Sequence, residues 1–375
     1  MEYDTAIGID VGDKNSKICV MTKAGGARRV VETTTIATTP DALRAYLAGK
    51  DPSWPVTFEC GTHCRWMERT VRGTGRRAIV ANPTRIRQIT ESNTKNDRND
   101  ARELARLTLA DVELLHPVRL RGEPYHRMLQ LLAARDGLIA VRTQLVNQMR
   151  GFAKTAGFRL GRCPAGRVHA LDRAEWPADF EELTFPTRRL LETLGEQIAA
   201  YDAMIDRLAA TPDFRAMVER VGEIFGVGRI GAATLVAEIG GDPGRFARAR
   251  DAGAYFGLVP AQDQSGETDR QRRTTKAGSG FARRILVELA QVVMKPNSRD
   301  TDLKLRGMRI CARGGRVARR KAVVAVARGI AVAAVALLKR PDMPYVPLSE
   351  RAKAEFGRMR AEEAKMAEER IRATA

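Results

Sequence analysis

Apolar positions in the first part of the chain fall in short runs that stop on glycine. Residues 4–11 alternate weakly and then turn apolar at Ile7-Gly8-Ile9, closing on Asp10-Val11-Gly12, which is the pattern of a buried strand. Further strands are predicted at residues 16–22, 28–37, 56–60 and 78–80, and helices at 40–47, 63–72 and 83–91. A new helical spacing begins at Asp97 and runs through Ala101, Leu104, Ala105, Leu107 and Leu109.

Three strands in succession, then strands alternating with helices, is the order of an RNase H-like nuclease core. Beyond Pro124 the pattern changes to long helices. Leu131, Leu138, Leu145 and Phe152 recur every seven residues, with Ala134 and Val141 between them. After an irregular piece holding Gly161, Pro164, Gly166 and Pro177, a second run keeps helical spacing from Leu191 to Leu208, and Pro212 ends it. Two such helices form either an antiparallel hairpin in one chain or a dimerising coiled coil; the long irregular link favours contact between chains.

From Phe214 a third pattern sets in. Gly226-Val227-Gly228 turns between two helical stretches, which resembles a helix-hairpin-helix, whose glycines let backbone N–H groups approach a phosphate. An ordinary glycine-rich turn is the plainer reading. The fold class is therefore α/β plus all-α: an RNase H-like (RuvC-like) domain at residues 1–115, a helical coiled-coil region at 116–212, a mostly helical domain with a helix-hairpin-helix-like motif at 213–345, and a charged tail at 346–375. That tail is rich in Glu, Lys, Arg and Ala, the composition of a solvated or marginal helix.

The formal net charge of +19 over 375 residues favours a polyanionic partner, and nucleic acid over a membrane surface, because no lipidation or signal pattern is present. The apolar stretch 322–338 is marginal in length for a membrane span and carries Arg328 near its middle, so it reads as a buried helix. Five scattered cysteines, an odd number, point to a reducing cytoplasm. Cys60, His63 and Cys64 lack a second ligand pair at zinc spacing.

Acids at strand ends carry the candidate chemistry. Asp10 and Glu59 each close a short apolar strand, where a carboxylate must be exposed, hydrogen-bonded or metal-bound. Asp97 and Asp100, three residues apart, share one face at a helix start. Strand ends plus a helix face is a geometry that gathers oxygen ligands for a hard cation such as Mg²⁺. A solvated charge cluster with Lys95, Arg98 and Arg102 is the plain alternative for the helix pair. Farther on, Ser265 lies in a polar, glycine-punctuated loop followed by Arg270, Arg272, Arg273 and Lys276. Such a serine is usually a turn former. Its basic flank is nevertheless suited to the non-bridging oxygens of a phosphodiester under attack.

The opening Gly8-Ile9-Asp10-Val11-Gly12 also resembles the first phosphate loop of actin-like ATPases, which need a second Asp-x-Gly loop that is not evident here. The order of parts is more specific. Asp10, Glu59 before Cys-Gly, Lys95-Asn96-Asp97-Arg98-Asn99-Asp100-Ala101, Gly226-Val227-Gly228, Gly257-Leu258-Val259-Pro260, Ser265-Gly266 and Thr275-Lys276-Ala277-Gly278 together resemble the DEDD transposases of the insertion-sequence one-ten family, nearly to Arg340. The resemblance implies a RuvC-like domain with Asp10, Glu59, Asp97 and Asp100 as ligands of Mg²⁺ or Mn²⁺. It also implies a C-terminal transposase domain with Ser265 as nucleophile; the glycine turn and the basic flank, read from the residues themselves, make Gly226, Gly228, Arg229, Arg270, Arg272, Arg273 and Lys276 the candidate nucleic-acid contacts. The implied function is DNA cleavage and strand exchange during excision and insertion, through a serine–DNA intermediate guided by a structured RNA, in a homo-oligomer (dimer or tetramer). A metal-dependent nuclease using water, and a non-catalytic nucleic-acid scaffold, are the alternatives.

Overall fold

In the computed structural model, which describes residues 3–87, 97–172, 176–265 and 268–374, the chain divides into two units, residues 1–120 and 121–375. Residues 88–91 of one expected helix, and Lys95 and Asn96, lie outside the described residues.

The first unit is built on a five-stranded sheet of order β3-β2-β1-β4-β5. Strands β1 (Thr5–Val11), β2 (Asn15–Ala24) and β3 (Ala27–Ala37) form an antiparallel meander. Strands β4 (Val56–Glu59) and β5 (Ala78–Ala81) are added parallel on the other side of β1. Alternation along β1 sends its side chains to two different layers. Ile7 and Ile9 pack with Leu43 and Leu47 of α1 (Pro40–Ala48) and with Met67 and Val71 of α2 (Cys64–Gly73). Ala6 packs the opposite way, against Ala105 and Leu109 of α4 (Asp97–Ala110), which follows the short α3 (Pro83–Arg87). Because β1 is buried on both faces, it reads in sequence as a nearly unbroken apolar run.

The second unit opens with α5 (Glu123–Thr155) and α6 (Ala178–Ala209), which pack on each other as an antiparallel hairpin within one chain. Arg135 near the start of α5 donates from Nε to Asp202 near the end of α6 at 2.7 Å, while Val146 and Met149 meet Leu191. The seam differs from the expected one. Its buried positions are Met128, Leu132, Val146, Met149 and Ala153, one residue out of step with the leucine repeat, and the same register passes through Arg135 and Arg142. Polar residues at two seam positions hid it from an apolar count. The repeat itself lies half-exposed, with Val141 44% and Phe152 39% accessible.

At its base the hairpin joins the core of the remaining helices. Met128, Leu132 and Ile205 pack with residues of α7 (Arg215–Gly222), α8 (Arg229–Ile239), α9 (Ala252–Tyr255), α10 (Gly280–Val293) and α12 (Gly315–Lys339). Helix α12 is long and apolar enough to cross a membrane by length and composition, yet Val326, Ile330, Ala331 and Val335 are buried in this core. The tail also differs from expectation. Helix α13 (Glu350–Thr374) buries Ala352 and Phe356, 3% and 5% accessible, against Leu305 of α11 (Asp302–Cys311), and Glu355 and Asp300 receive Arg309 and Arg360.

Candidate active site

Gly8 sets how closely α4 packs on β1. A Cβ there would lie 2.1 Å from the Ala101 carbonyl oxygen and 2.6 Å from the Ala105 amide nitrogen, so only glycine lets α4 cross β1 this closely. Ala6, farther back along β1, meets Ala105 and Leu109, farther along α4. The helix therefore runs against the strand, and its first turn lies toward the β1 end that carries Asp10. Asp10 falls on the Gly8 face by alternation.

Strand β4 repeats the arrangement. Thr57 is in register with Gly8, and its Oγ1 lies 2.7 Å from Thr108 Oγ1 of α4 in a buried hydrogen bond. Two residues on, Glu59 falls on that same face at the end of β4. The register that pairs Ile9 with Phe58, carried one step further, brings Asp10 alongside Glu59 at the ordinary strand spacing of about 4.8 Å. Both carboxylates are half-buried, and Asp100 on α4 is exposed. Sequence reasoning missed Lys17, which the antiparallel register sets directly opposite Asp10. Its signal was the alternation of β2, since opposite charges at facing strand positions attract.

Asp97 begins α4, and its side chain lies outside what is described. Among the described residues no three Asp, Glu, His or Cys side chains close on one point. The unit nonetheless directs two neighbouring strand-end carboxylates and the two acid positions of a helix start to one end of the sheet. An all-oxygen donor set of this kind suits a hard divalent cation. Just past Glu59, the Cys60 side chain hydrogen-bonds Cys64 and, with the Gly61 N–H and the nearby Arg65 charge, lowers the Cys64 thiol to about 6 against the cost of burial.

In the second unit Ser265 stands on a strand, where a loop was expected. It is the last residue of β6 (Pro260–Ser265), which pairs with β7 (Thr268–Thr274); Ser265 is registered to Thr268 and Asp263 to Arg270. Gly266 and Glu267 lie outside the described residues. Nothing apolar marks β6 as a strand after Pro260 and Ala261, and its conformation is imposed at the base. There Gly257 (φ 65°) leaves room for the Ala277 backbone, where a Cβ would come within 2.4 Å of its nitrogen. Gly278 (φ 69°) likewise faces the Tyr255 carbonyl oxygen, 2.2 Å from a Cβ position. The Thr275 amide donates to Val259 O at 2.9 Å, and Arg283 Nη1 donates to Ala277 O at 2.8 Å. The two glycine motifs are thus one clamp beneath the ribbon. Arg270 and Arg272 belong to β7, as does Arg273, which is exposed, and Lys276 is exposed in the clamp at φ 54°.

The Gly226-Val227-Gly228 turn joins α7 to α8. Gly226 has φ 85° and its Cβ would lie 2.8 Å from Val293 Cγ2, so this glycine serves the packing of the turn on α10. Gly228 caps α8 with open space where its Cβ would be, and the loop 222–228 lines a hollow of about 450 Å³ with Arg299 and Pro347. Arg229 is already engaged, with Asp206 and, at 3.4 Å, with Asp202, both on α6. A phosphate contact by Arg229 has to compete with two carboxylates.

Two family models match the chain: a DEDD transposase model of the IS110 type over residues 7–156, and the transposase IS116/IS110/IS902 family over residues 218–304. The first spans the strand ends and α4, and the second spans the glycine turn, the clamp and the ribbon. Among curated proteins, the transposase for insertion sequence element IS1111A of Coxiella burnetii is 29% identical over 65% of this chain and 67% of its own. The transposase for insertion sequence element IS1328 of Yersinia enterocolitica is 28% identical over 78% of this chain and 84% of its own. A probable family 20 transposase of Pseudomonas aeruginosa is 28% identical over 72% and 78%.

Proposed function

The chain belongs to the IS110 family of DEDD transposases and is a DNA-processing enzyme, and on that premise we propose that it cuts and exchanges DNA strands through a covalent serine–DNA intermediate. The observation that supports this reading is the crossing of α4 over Gly8, which sets the start of that helix toward the end of β1 that carries Asp10. The strand order, an antiparallel meander extended by two parallel strands, supports an RNase H-like core. Asp10, Glu59, Asp97 and Asp100 would hold a divalent cation, Mg²⁺ or Mn²⁺, which supplies charge to the scissile phosphate and to the oxygen that departs.

The Ser265 hydroxyl oxygen attacks phosphorus as its proton is lost. A serine–phosphate ester forms, the bond to the departing strand breaks, and that strand leaves with a protonated hydroxyl. Arg270, Arg272, Arg273 and Lys276, on the ribbon and its clamp, stabilise the non-bridging oxygens. The ester conserves a phosphodiester-like bond, so rejoining to a new strand needs no nucleotide cofactor. The backbone amides of the Gly226–Gly228 turn hold DNA by its phosphates. The strongly positive chain is further suited to a structured guide RNA that pairs with donor and target. In a homo-oligomer, the acids of one subunit serve the serine of another.

A suicide substrate bearing an element end, incubated with the protein, Mg²⁺ and cognate RNA, should leave DNA attached to protein through denaturing electrophoresis. Ser265→Ala should lose the adduct and recombination while keeping the melting temperature. Normal cutting by the alanine variant would make water the nucleophile and the protein a metal-dependent nuclease.

A further inference from the structure

Between Leu303 and Pro341 the sequence has eleven Lys and Arg, no Asp or Glu, and no aromatic residue. The fold bends this stretch into a tight antiparallel pair. Gly307 on α11 lets Met294 and Val326 close in, with a Cβ position 2.2 Å from Met294 Sδ and 2.9 Å from Val326 Cγ2. Gly329 on α12 does the same for Leu303 at 2.5 Å. The tip is the turn at Gly314 and Gly315, both at positive φ with open space around them. Around it Arg306, Arg313, Arg316, Arg319, Arg320 and Lys321 are all exposed.

Among the described residues none of these six forms an ion pair. Elsewhere on the unit exposed arginines are matched, as in Arg189–Glu192, Arg215–Glu219 and Arg309–Glu355. The fold gains nothing from the arrangement. Arg316, Arg319, Arg320 and Lys321 crowd the first two turns of α12, where the helix dipole is already positive and acids are the stabilising choice. Unmatched like charges at that place act against the folded state and in favour of a polyanion.

We propose that the α11–α12 tip is a docking surface for the phosphate backbone of duplex DNA, separate from the ribbon and the glycine turn. Duplex is the form that fits, because single strands are held by stacking bases on aromatic rings and this stretch has none. DNA is the partner because the chain's family acts on DNA, so the surface rests on that part of the reading above and not on Ser265 or the carboxylates. Contacts of this kind carry no base information; they hold a duplex arm while another part of it is cut.

The test is binding of a short duplex of arbitrary sequence to the full-length protein by fluorescence anisotropy, from about 50 to 200 mM salt. Arg316→Gln/Arg319→Gln/Arg320→Gln should raise Kd roughly tenfold or more and lower the log–log salt slope by about two to three. Its melting temperature should be unchanged or higher. The control Arg189→Gln/Arg215→Gln/Arg248→Gln removes equal charge from matched sites, Arg248 being paired with Asp251, and should stay near wild type. Equal losses in both triples would reduce the effect to net charge and overturn the surface. A loss confined to a structured RNA or to single-stranded DNA would overturn it as well. Ser265→Ala should bind the duplex normally, so failure of the serine mechanism would be seen separately.

Discussion

At the scale of single residues, the site is organised by an absence of side chain. Gly8→Ala would drive a methyl group into the α4 backbone, which cannot yield as a flexible side-chain end could. We expect a loss of about 3 kcal/mol in urea unfolding. Strand cleavage should fall with it, although no acid has been touched. Gly49→Ala, where a Cβ meets nothing within 4 Å, should stay within about 0.5 kcal/mol. Equal effects from the two variants would remove the close crossing as the device that aims the acids. Asp10 and Glu59 stood out in the sequence as candidates because a carboxylate closing an apolar run is conspicuous. The importance of Gly8 was not legible, since a glycine in a strand looks the same whether it faces solvent or another backbone. Lys17 was hidden for a similar reason: only the register of β2 on β1 sets it opposite Asp10.

At the scale of elements, the sheet of the first unit was largely visible in advance. Residues 56–60 and 78–80 were expected as strands, and Val56–Glu59 and Ala78–Ala81 are found. Short apolar runs between turns leave few alternatives there. The elements that escaped are held by distant contacts. Strand β6 is polar after its first two residues and depends on the glycine clamp, so no local pattern could announce it. Helix α13 looked solvated because Ala352 and Phe356, four residues apart, do not by themselves make a stripe, yet both find Leu305. Truncation after Pro347 should therefore cost about 3 kcal/mol, a fall in melting temperature of roughly 5–10 °C. An unchanged melting curve would show that the helix contributes nothing to the second unit.

At the scale of the whole molecule, the leucine repeat of α5 acquires a second use. The hairpin with α6 employs the neighbouring register, which leaves Val141 and Phe152 exposed beside the half-buried Leu138 and Leu145. A face of that kind on a 33-residue helix suits another copy of the chain. Val141→Asp/Phe152→Asp should lower the mass measured by light scattering to that of one chain while leaving helix content intact; an assembly that persists would put the contact elsewhere. On the proposed serine mechanism, assembly and cutting would be linked through the ribbon whose strand β6 ends at Ser265. Strands β6 and β7 pack chiefly against each other, and six residues of strand reach about 20 Å from the clamp. A ribbon of that length is a lever arm: a tilt of about 10° at its hinge carries the tip through some 3–4 Å, the difference between contact and none. On that mechanism, a fully formed nucleophile would stay harmless at all times, because what is withheld until the partners are gathered is arrival.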